Sequence, residues 1–201
     1  SAASDVYKRQ GLMEGIKTPS SYFLMVIPKF LGGEDKAFIY ADCAVNIDPT
    51  AEELADIALA SAESARRLLG EEPRVAFLSF STKGSATSPS VEKVKKALEI
   101  TRCRNGKLAI DGEFQADTAV VPRVAAKKVK DESAVAGKAN VLIFPDLDSG
   151  NIAYKLTQYM AGAQAIGPFL QGFAKPIADL SRGATVEDVV ATTAMTLAQL
   201  L

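Results

Sequence analysis

Along this chain, short apolar runs alternate with longer stretches in which apolar residues recur every three or four positions, the pattern of strands interleaved with helices. Residues 22–27 (YFLMVI) and 37–41 (AFIYA) read as short strands, and the Gly-Gly-Glu-Asp turn at 32–35 predicts a hairpin-like pair. Asp48-Pro49 opens a helix, with Asp48 as N-cap and Pro49 in the first turn. Leu54, Ile57, Ala58, Ala65, Leu68 and Leu69 keep helical spacing, and Gly70 marks the stop. Residues 74–80 (RVAFLSF) are nearly continuously apolar, as in a strand buried on both faces. Ser88-Pro89 starts a helix carrying Val91, Val94, Ala97, Leu98 and Ile100. A short strand at 108–110 leads into Asp111-Gly112-Glu113, and a helical stretch through 119–121 breaks at Pro122. Residues 141–144 (VLIF) are a further buried strand, ending at Pro145. Residues 151–161 read as a helix with Ile152, Leu156, Tyr159 and Met160 on one side, and 186–201 as a last helix. This alternation predicts an α/β protein with a mostly parallel sheet flanked by helices.

The length, 201 residues, suits one large domain or one domain with part of another, and 48% hydrophobic residues suffice for a sizeable core. Lys and Arg total 23 against 24 Asp and Glu, a net charge of -1, which gives no basic face for nucleic acid or a membrane surface. No apolar stretch approaches the ~20 residues that span a bilayer, and residues 1–10 lack the apolar core of a signal peptide. Cys43 and Cys103, far apart, make a poor disulfide framework; they suit a reducing, cytoplasmic setting and read as small buried hydrophobes. The chain has no histidine, so Ser-His-Asp and Cys-His nucleophile systems within one chain and histidine-ligated zinc are excluded, and no metal site is expected. Acid–base chemistry falls to Asp, Glu, Lys, Tyr or Cys.

Ligands of open α/β sheets bind at the carboxyl ends of the strands, and three loops are expected there. The first contains Ser81, Thr82, Lys83, Gly84 and Ser85: hydroxyls, a lysine and a glycine ahead of a helix can present N–H groups to an anion. It lacks the spacing of a Walker loop and is equally readable as a structural strand-to-helix turn. The second runs from Pro145 to Asn151. Asp146 and Asp148 suggest a metal or a hydroxyl-rich ligand, while Ser149 or Asp148 could instead cap the following helix. In the third, Ser181-Arg182-Gly183 could grip a phosphate in a two-pronged fashion. Thr185 and Asp188 just beyond also match a capping box, which would make Asp188 a helix N-terminal carboxylate.

At these loops the chain resembles a known family. The segments FLSFSTKGSA (77–86), VEKVKKALEI (91–100), DGEFQADTAVVPRVAAKK (111–128), VAGKANVLIFPDLDSGNIAYK (135–155), AIGPFLQGFAKPIADLSRG (165–183) and VEDVV (186–190), with FIYADCAVNIDPTAEELADIA (38–58) upstream, are similar to the phosphate acetyl/butyryltransferases, closest to the acetyl members. The resemblance runs in order from about residue 15 to the end. It implies a two-domain α/β fold like that of isocitrate and isopropylmalate dehydrogenases, an active site between domains, and a homodimer. Residues 16–165 would then be the second domain and 166–201 a return into the first. Most of that first domain, which carries further active-site arginines, would be missing, and residues 1–15 would be an artefactual leader, since 1–10 (SAASDVYKRQ) match nothing in the family.

The resemblance also implies a reaction, transfer of an acetyl group between coenzyme A and inorganic phosphate, with acetyl-CoA and phosphate as substrates and no cofactor. Asp188 would take the thiol proton, Ser181 would donate a hydrogen bond near the reacting carbonyl, and Arg182 would hold phosphate or the polarised oxygen. Ser81, Thr82, Lys83, Gly84, Ser85, Asp148, Ser149 and Asn151 would line the cleft. A butyryl or other acyl specificity, a non-catalytic acetyl-CoA-binding domain like that fused to some malic enzymes, and an inert α/β fragment are the alternatives.

Overall fold

The structure, a computed structural model, describes residues 11–13, 16–180 and 183–199; the expected leader at 1–15 falls almost wholly outside them. In chain order the elements are β1 (Ser20–Ile27), a 3-10 turn (Phe30–Gly32), β2 (Lys36–Ala41), α1 (Ala51–Leu68), β3 (Arg74–Leu78), α2 (Pro89–Arg104) and β4 (Ala109–Phe114). They continue with α3 (Ala116–Val120), α4 (Pro122–Lys128), β5 (Val141–Ile143), α5 (Leu147–Met160), β6 (Gln164–Gln171), β7 (Ile177–Ala178) and α6 (Val186–Ala198).

The continuous apolar runs exist because alternate residues of one strand feed two cores. Tyr22 and Leu24, Ile39 and Ala41, Val75 and Phe77 face α1 and α2. Their neighbours Phe23 and Met25, Phe38 and Tyr40, Ala76 and Leu78 face the opposite side, with Ala119, Ala139 and part of α5. The protein is thus a three-layer α/β sandwich.

The sheet has seven strands in the order β4-β3-β5-β2-β1-β6-β7. β2, β5, β3 and β4 pair in parallel, whereas β1 pairs antiparallel with β2 and β6, and β6 antiparallel with β7. The expectation of a mostly parallel sheet is therefore corrected to a mixed one. The hairpin of β1 and β2 is present, whereas β6 lacks a clear strand signal in the sequence: Gly167 and Pro168 interrupt its apolar pattern, and the register with β1 shifts between Tyr22 and Leu24, beside these residues.

Local signals explain most boundaries and three corrections. Helix α1 is capped by Thr50, not Asp48: Thr50 Oγ1 accepts the Glu53 N–H at 3.3 Å and Glu53 Oε2 accepts the Thr50 N–H at 2.7 Å. That reciprocal box satisfies two orphan groups where a lone Asp-Pro satisfies one. Ser88 caps α2 with Pro89 behind it, as the sequence predicts. Asp146 caps α5, which starts at Leu147 rather than at 151, so neither Ser149 nor Asp148 is the cap. β3 stops at Leu78, and Phe80 stands 60% exposed on the following loop. Cys43 is buried, but Cys103, near the end of α2, is exposed. Among the described residues no helix is long and apolar enough to cross a membrane.

Candidate functional site

The carboxyl ends of the parallel strands gather two of the three predicted loops. The third leaves β7, which runs opposite to β6 and hence opposite to the parallel set. The Ser81–Ser85 segment follows β3 and is folded onto β4. Glu113, 3% exposed, accepts the Ser81 hydroxyl at 2.8 Å and the Gly84 N–H at 2.7 Å, and its carbonyl accepts the Lys83 N–H at 3.1 Å. Lys83 and Gly84 lie in the left-handed region, φ 49° and 82°; for lysine this conformation is uncommon and is held by the surrounding bonds. Ser81 and Thr82 are buried, and the Thr82 hydroxyl accepts the Gln115 N–H at 2.9 Å. What this loop offers to solvent is Lys83, Gly84 and Ser85.

Lys83 is already partnered. Its Nζ lies 2.6 Å from Asp111 Oδ1 and 5.2 Å from the centre of the Phe114 ring. Arg102 Nη2 reaches the same Asp111 oxygen at 2.9 Å, and the Ser133 hydroxyl and Gly112 N–H also donate to Asp111. Burial pushes the Asp111 carboxyl up, but the hydrogen bonds from Lys83, Ser133 and Gly112 outweigh it and hold the group below its ordinary range.

The second loop builds a cleft of about 430 Å³ lined by Ile47, Asp48, Pro89, Ser90, Lys93, Asp146 and Asp148. Asp146 accepts the Ser149 N–H at 2.8 Å and the Ser149 hydroxyl at 2.7 Å, and Asn151 donates to the Cys43 carbonyl at 3.1 Å. Ser149 and Asn151 thus have structural partners, while Asp148 faces the cleft. Lys93 bridges to Asp48 at 2.6 Å, and that hydrogen bond and charge hold the Asp48 carboxyl below its ordinary range. Three carboxylates against one ammonium leave the lining at -2, a field that repels phosphate. Ser81–Ser85 do not line this cleft. Among the described residues no group of His, Cys, Asp and Glu is placed to hold a metal ion.

Residues absent from the sequence reading anchor this edge. Asp42, 2% exposed, receives N–H groups from Ser21, Ala44, Val45 and Asn46, the Asn46 side-chain amide at 2.6 Å and the Ser21 hydroxyl. Gly150 of α5 lies so close that a Cβ there would sit 2.2 Å from the Asp42 carbonyl oxygen, so only glycine lets α5 dock on this loop. Asp56, also buried, takes two N–H groups and Arg104 at 2.6 Å.

Of the expected catalytic residues, Ser181 and Arg182 lie outside the described residues. Asp188 is half-buried at the start of α6 and closes a capping box: its carboxylate accepts the Thr185 N–H at 2.9 Å, and its own N–H donates to Thr185 Oγ1 at 3.2 Å. Helix α6 packs on β6 and β7, at the end of the sheet opposite β3 and β4. Asp188 and the Ser81 loop therefore belong to opposite ends of the sheet.

Comparison with known proteins adds what this geometry lacks. The family model described as phosphate acetyl/butaryl transferase matches residues 3–197. The phosphate acetyltransferase of Clostridium acetobutylicum is 56% identical over 185 residues, covering 92% of this chain and 55% of that protein. The phosphate acetyltransferase of Treponema pallidum is 52% identical over 193 residues, covering 94% of this chain and 57% of that protein. A solved phosphotransacetylase from Streptococcus pyogenes superposes with a TM-score of 0.90 at 47% identity, covering 98% of this chain and 58% of that one. The chain spans about half the length of the curated relatives it matches.

Proposed function

This chain belongs to the phosphate acetyl/butaryl transferase family, and on that premise we propose that it is part of an acyltransferase exchanging an acetyl group between coenzyme A and inorganic phosphate. The observation that carries the reading is the 56% identity to a phosphate acetyltransferase over 92% of the chain. In this reading residues 16–165 are the second domain of a two-domain, isocitrate dehydrogenase-like protein, and 166–201 return to the first domain. The -2 lining of the carboxyl-edge cleft fits that division, because the cations that hold phosphate must then come from elsewhere: Arg182 and arginines of the first domain.

The chemistry assigned to the chain is simple to balance. Toward acetyl-CoA, Asp188 takes the thiol proton, the sulfur forms a bond to the acetyl carbon, and the carbon–oxygen bond to phosphate breaks. Arg182 neutralises the departing phosphate, and Ser181 donates to the carbonyl oxygen as charge grows on it. An ordinary aspartate titrates near ~3.9 and a thiol near ~8.5, so proton transfer is uphill by about 6 kcal/mol before the site contributes. Positioning of sulfur against carbonyl must supply most of the acceleration.

The test compares the 201-residue chain with a version extended to the length of its relatives. Acetyl phosphate formed from acetyl-CoA and phosphate is expected from the extended protein and not from the short chain. Turnover by the short chain would refute the division of the phosphate site; no turnover by a folded, extended protein refutes the activity. Butyryl-CoA in the same assay reads out acyl length.

The same reading includes a homodimer, supported by the outer side of α5. Ile152, Leu156, Tyr159 and Met160 share one side of that helix, and Tyr159 and Met160 are 80% and 81% exposed. An apolar stripe of this kind marks an association surface. Light scattering should find a dimer, and Tyr159→Asp with Met160→Glu should give a folded monomer. A dimer that survives both changes is held by another surface.

A further inference from the structure

We propose that the tip of the β1–β2 hairpin is a second docking element of the homodimer, in which Leu31 of each copy seats against the end of helix α5 of the other. The inference rests on the homodimer part of the reading above and adds to it a contact and its direction.

The tip holds a strained backbone. Lys29 and Leu31 both lie in the left-handed region, φ 47° and 52°, where a Cβ is crowded and glycine is at ease. Gly32 and Gly33 follow at once, yet a leucine takes the strained place. Local bonds fix the turn. The Lys29 N–H donates to Asp35 Oδ1 at 3.0 Å and the Phe30 N–H to the Glu34 carbonyl at 3.0 Å. The Gly32 N–H donates to the Lys29 carbonyl at 2.8 Å and the Gly33 N–H to the Phe30 carbonyl at 3.0 Å. Phe30 stands edge-on to Phe38, ring centres 5.0 Å apart, and Lys36 Nζ lies 5.3 and 5.1 Å from the two ring centres. What this built turn presents to solvent is Leu31, 61% exposed. Strain kept at an exposed apolar residue points to a contact that the isolated fold does not need.

The tip and the α5 stripe lie together. Helix α5 crosses from β5 to β6, which run the same way, so it returns against them and ends at the edge where β2 begins. Gln164, just past the helix, pairs with Val26, and Lys36 pairs with Ile27. Ile27 and Phe30 pack on the same side of the sheet as Ala153 and Tyr154 of α5, and the Tyr154 ring stacks on Phe23 at 4.1 Å. Leu31, Tyr159 and Met160 therefore share one edge of one face.

Area calls for a second contact, and a second copy supplies it. Fourteen helical residues span about 21 Å, and one side about 10 Å wide offers roughly 200 Å². A stable interface takes about 800 Å² from each partner, so it must run beyond the helix. The other exposed apolar side chains lead elsewhere. Val186, Val190 and Leu197 belong to α6, which packs through Ala191 and Met195 on the opposite face. Ile47 and Phe80 follow β2 and β3 at the far edge. In a two-fold pair the tip of each copy meets the α5 end of the other, so the contact counts twice.

Hydrogen exchange of the 201-residue chain above and below its dimer dissociation constant tests the placement: the amides at 30–33 and at 156–160 should both be slower in the dimer. Leu31→Asn keeps a residue that tolerates the left-handed turn and removes the apolar contact. It should raise the dissociation constant about a hundredfold, tenfold for each of two lost contacts. Leu31→Gly should weaken the dimer as much and, as a monomer, melt no lower than the parent, because glycine relieves the turn. Slowed exchange at 156–160 without 30–33, parent affinity in Leu31→Asn, or early melting of monomeric Leu31→Gly each overturn the inference and leave the α5 dimer standing. A parent chain that stays monomeric in light scattering overturns both.

Discussion

Replacing Asp42 with alanine is expected to cost the fold about 3–5 kcal/mol, the range reserved for breaking a buried, fully hydrogen-bonded charge network. Six donors converge on this carboxylate: four backbone N–H groups, one hydroxyl and one side-chain amide. Removing it orphans donors that the loop from Asp42 to Asn46 cannot turn to other acceptors, at about 1–3 kcal/mol for each that water fails to reach. Asp42→Asn should be nearly as harmful. Oδ1 accepts from Ser21, Ala44 and Val45, and Oδ2 from Asn46, so either orientation of an amide points N–H groups at N–H groups. For a chain of this size about 3 kcal/mol is a fall of roughly 6–12 °C in melting temperature. The loss should extend to α5, whose Gly150 rests on the Asp42 carbonyl. A fall under about 2 °C for Asp42→Ala would mean that water replaces the carboxylate and that the network is no keystone.

Asp42 also shows where sequence reading runs out. Its partners within four residues form a local pattern, a carboxylate followed by three small or polar residues and Asn46, which could have been read as an anion-centred turn. Its tie to Ser21, 21 residues upstream, could not. The same holds for Asp111, whose partners Lys83 and Ser133 are 28 and 22 residues away, and for Asp56 with Arg104, 48 residues apart. Charge patterning along a chain reports neighbours at helical or strand spacing; these pairs exist only because β3 and β4, or α1 and α2, have already packed.

Elements were legible wherever one physical signal dominated. The apolar runs of β2, β3 and β5 and the Ser88-Pro89 start of α2 gave right answers because burial and capping agreed. Where two signals competed, the stronger local bond won: Thr50 with Glu53 displaced Asp48-Pro49 as the start of α1, and Asp146 displaced Ser149 and Asp148 at α5. The mixed character of the sheet was not legible, since strand direction depends on connections, and β6 reads as a loop while Gly167 and Pro168 are taken at face value. The candidate site divides in the same way. Its residues read from the sequence as polar groups that could meet an anion, yet Ser81, Thr82, Ser149 and Asn151 turn their polar groups to the protein itself, and Lys83 is held by Asp111.

The proposed base role of Asp188 and its visible helix cap are separated by a single substitution: Asp188→Asn in the chain extended to the length of its relatives is expected to lower kcat by about 10²–10⁴-fold with little change in stability. The cap is visible: the carboxylate accepts the Thr185 N–H at 2.9 Å, and the Asp188 N–H donates to Thr185 Oγ1. Asparagine keeps a side-chain oxygen in that place and leaves the second bond untouched. The loss of charge at the N-terminus of α6 amounts to about 0.3–1 kcal/mol, at most about 4 °C in melting temperature. An amide, however, cannot take a proton from a thiol. If Asp188 is the base, the defect belongs to the step in which the proton moves, so it should fall on kcat while KM for coenzyme A stays within a few-fold. A thiol with a lower pKa in place of coenzyme A should recover part of the loss, because it needs the base less. A variant that melts early but turns over at the parent rate once folded would reduce Asp188 to the helix cap that its geometry already displays.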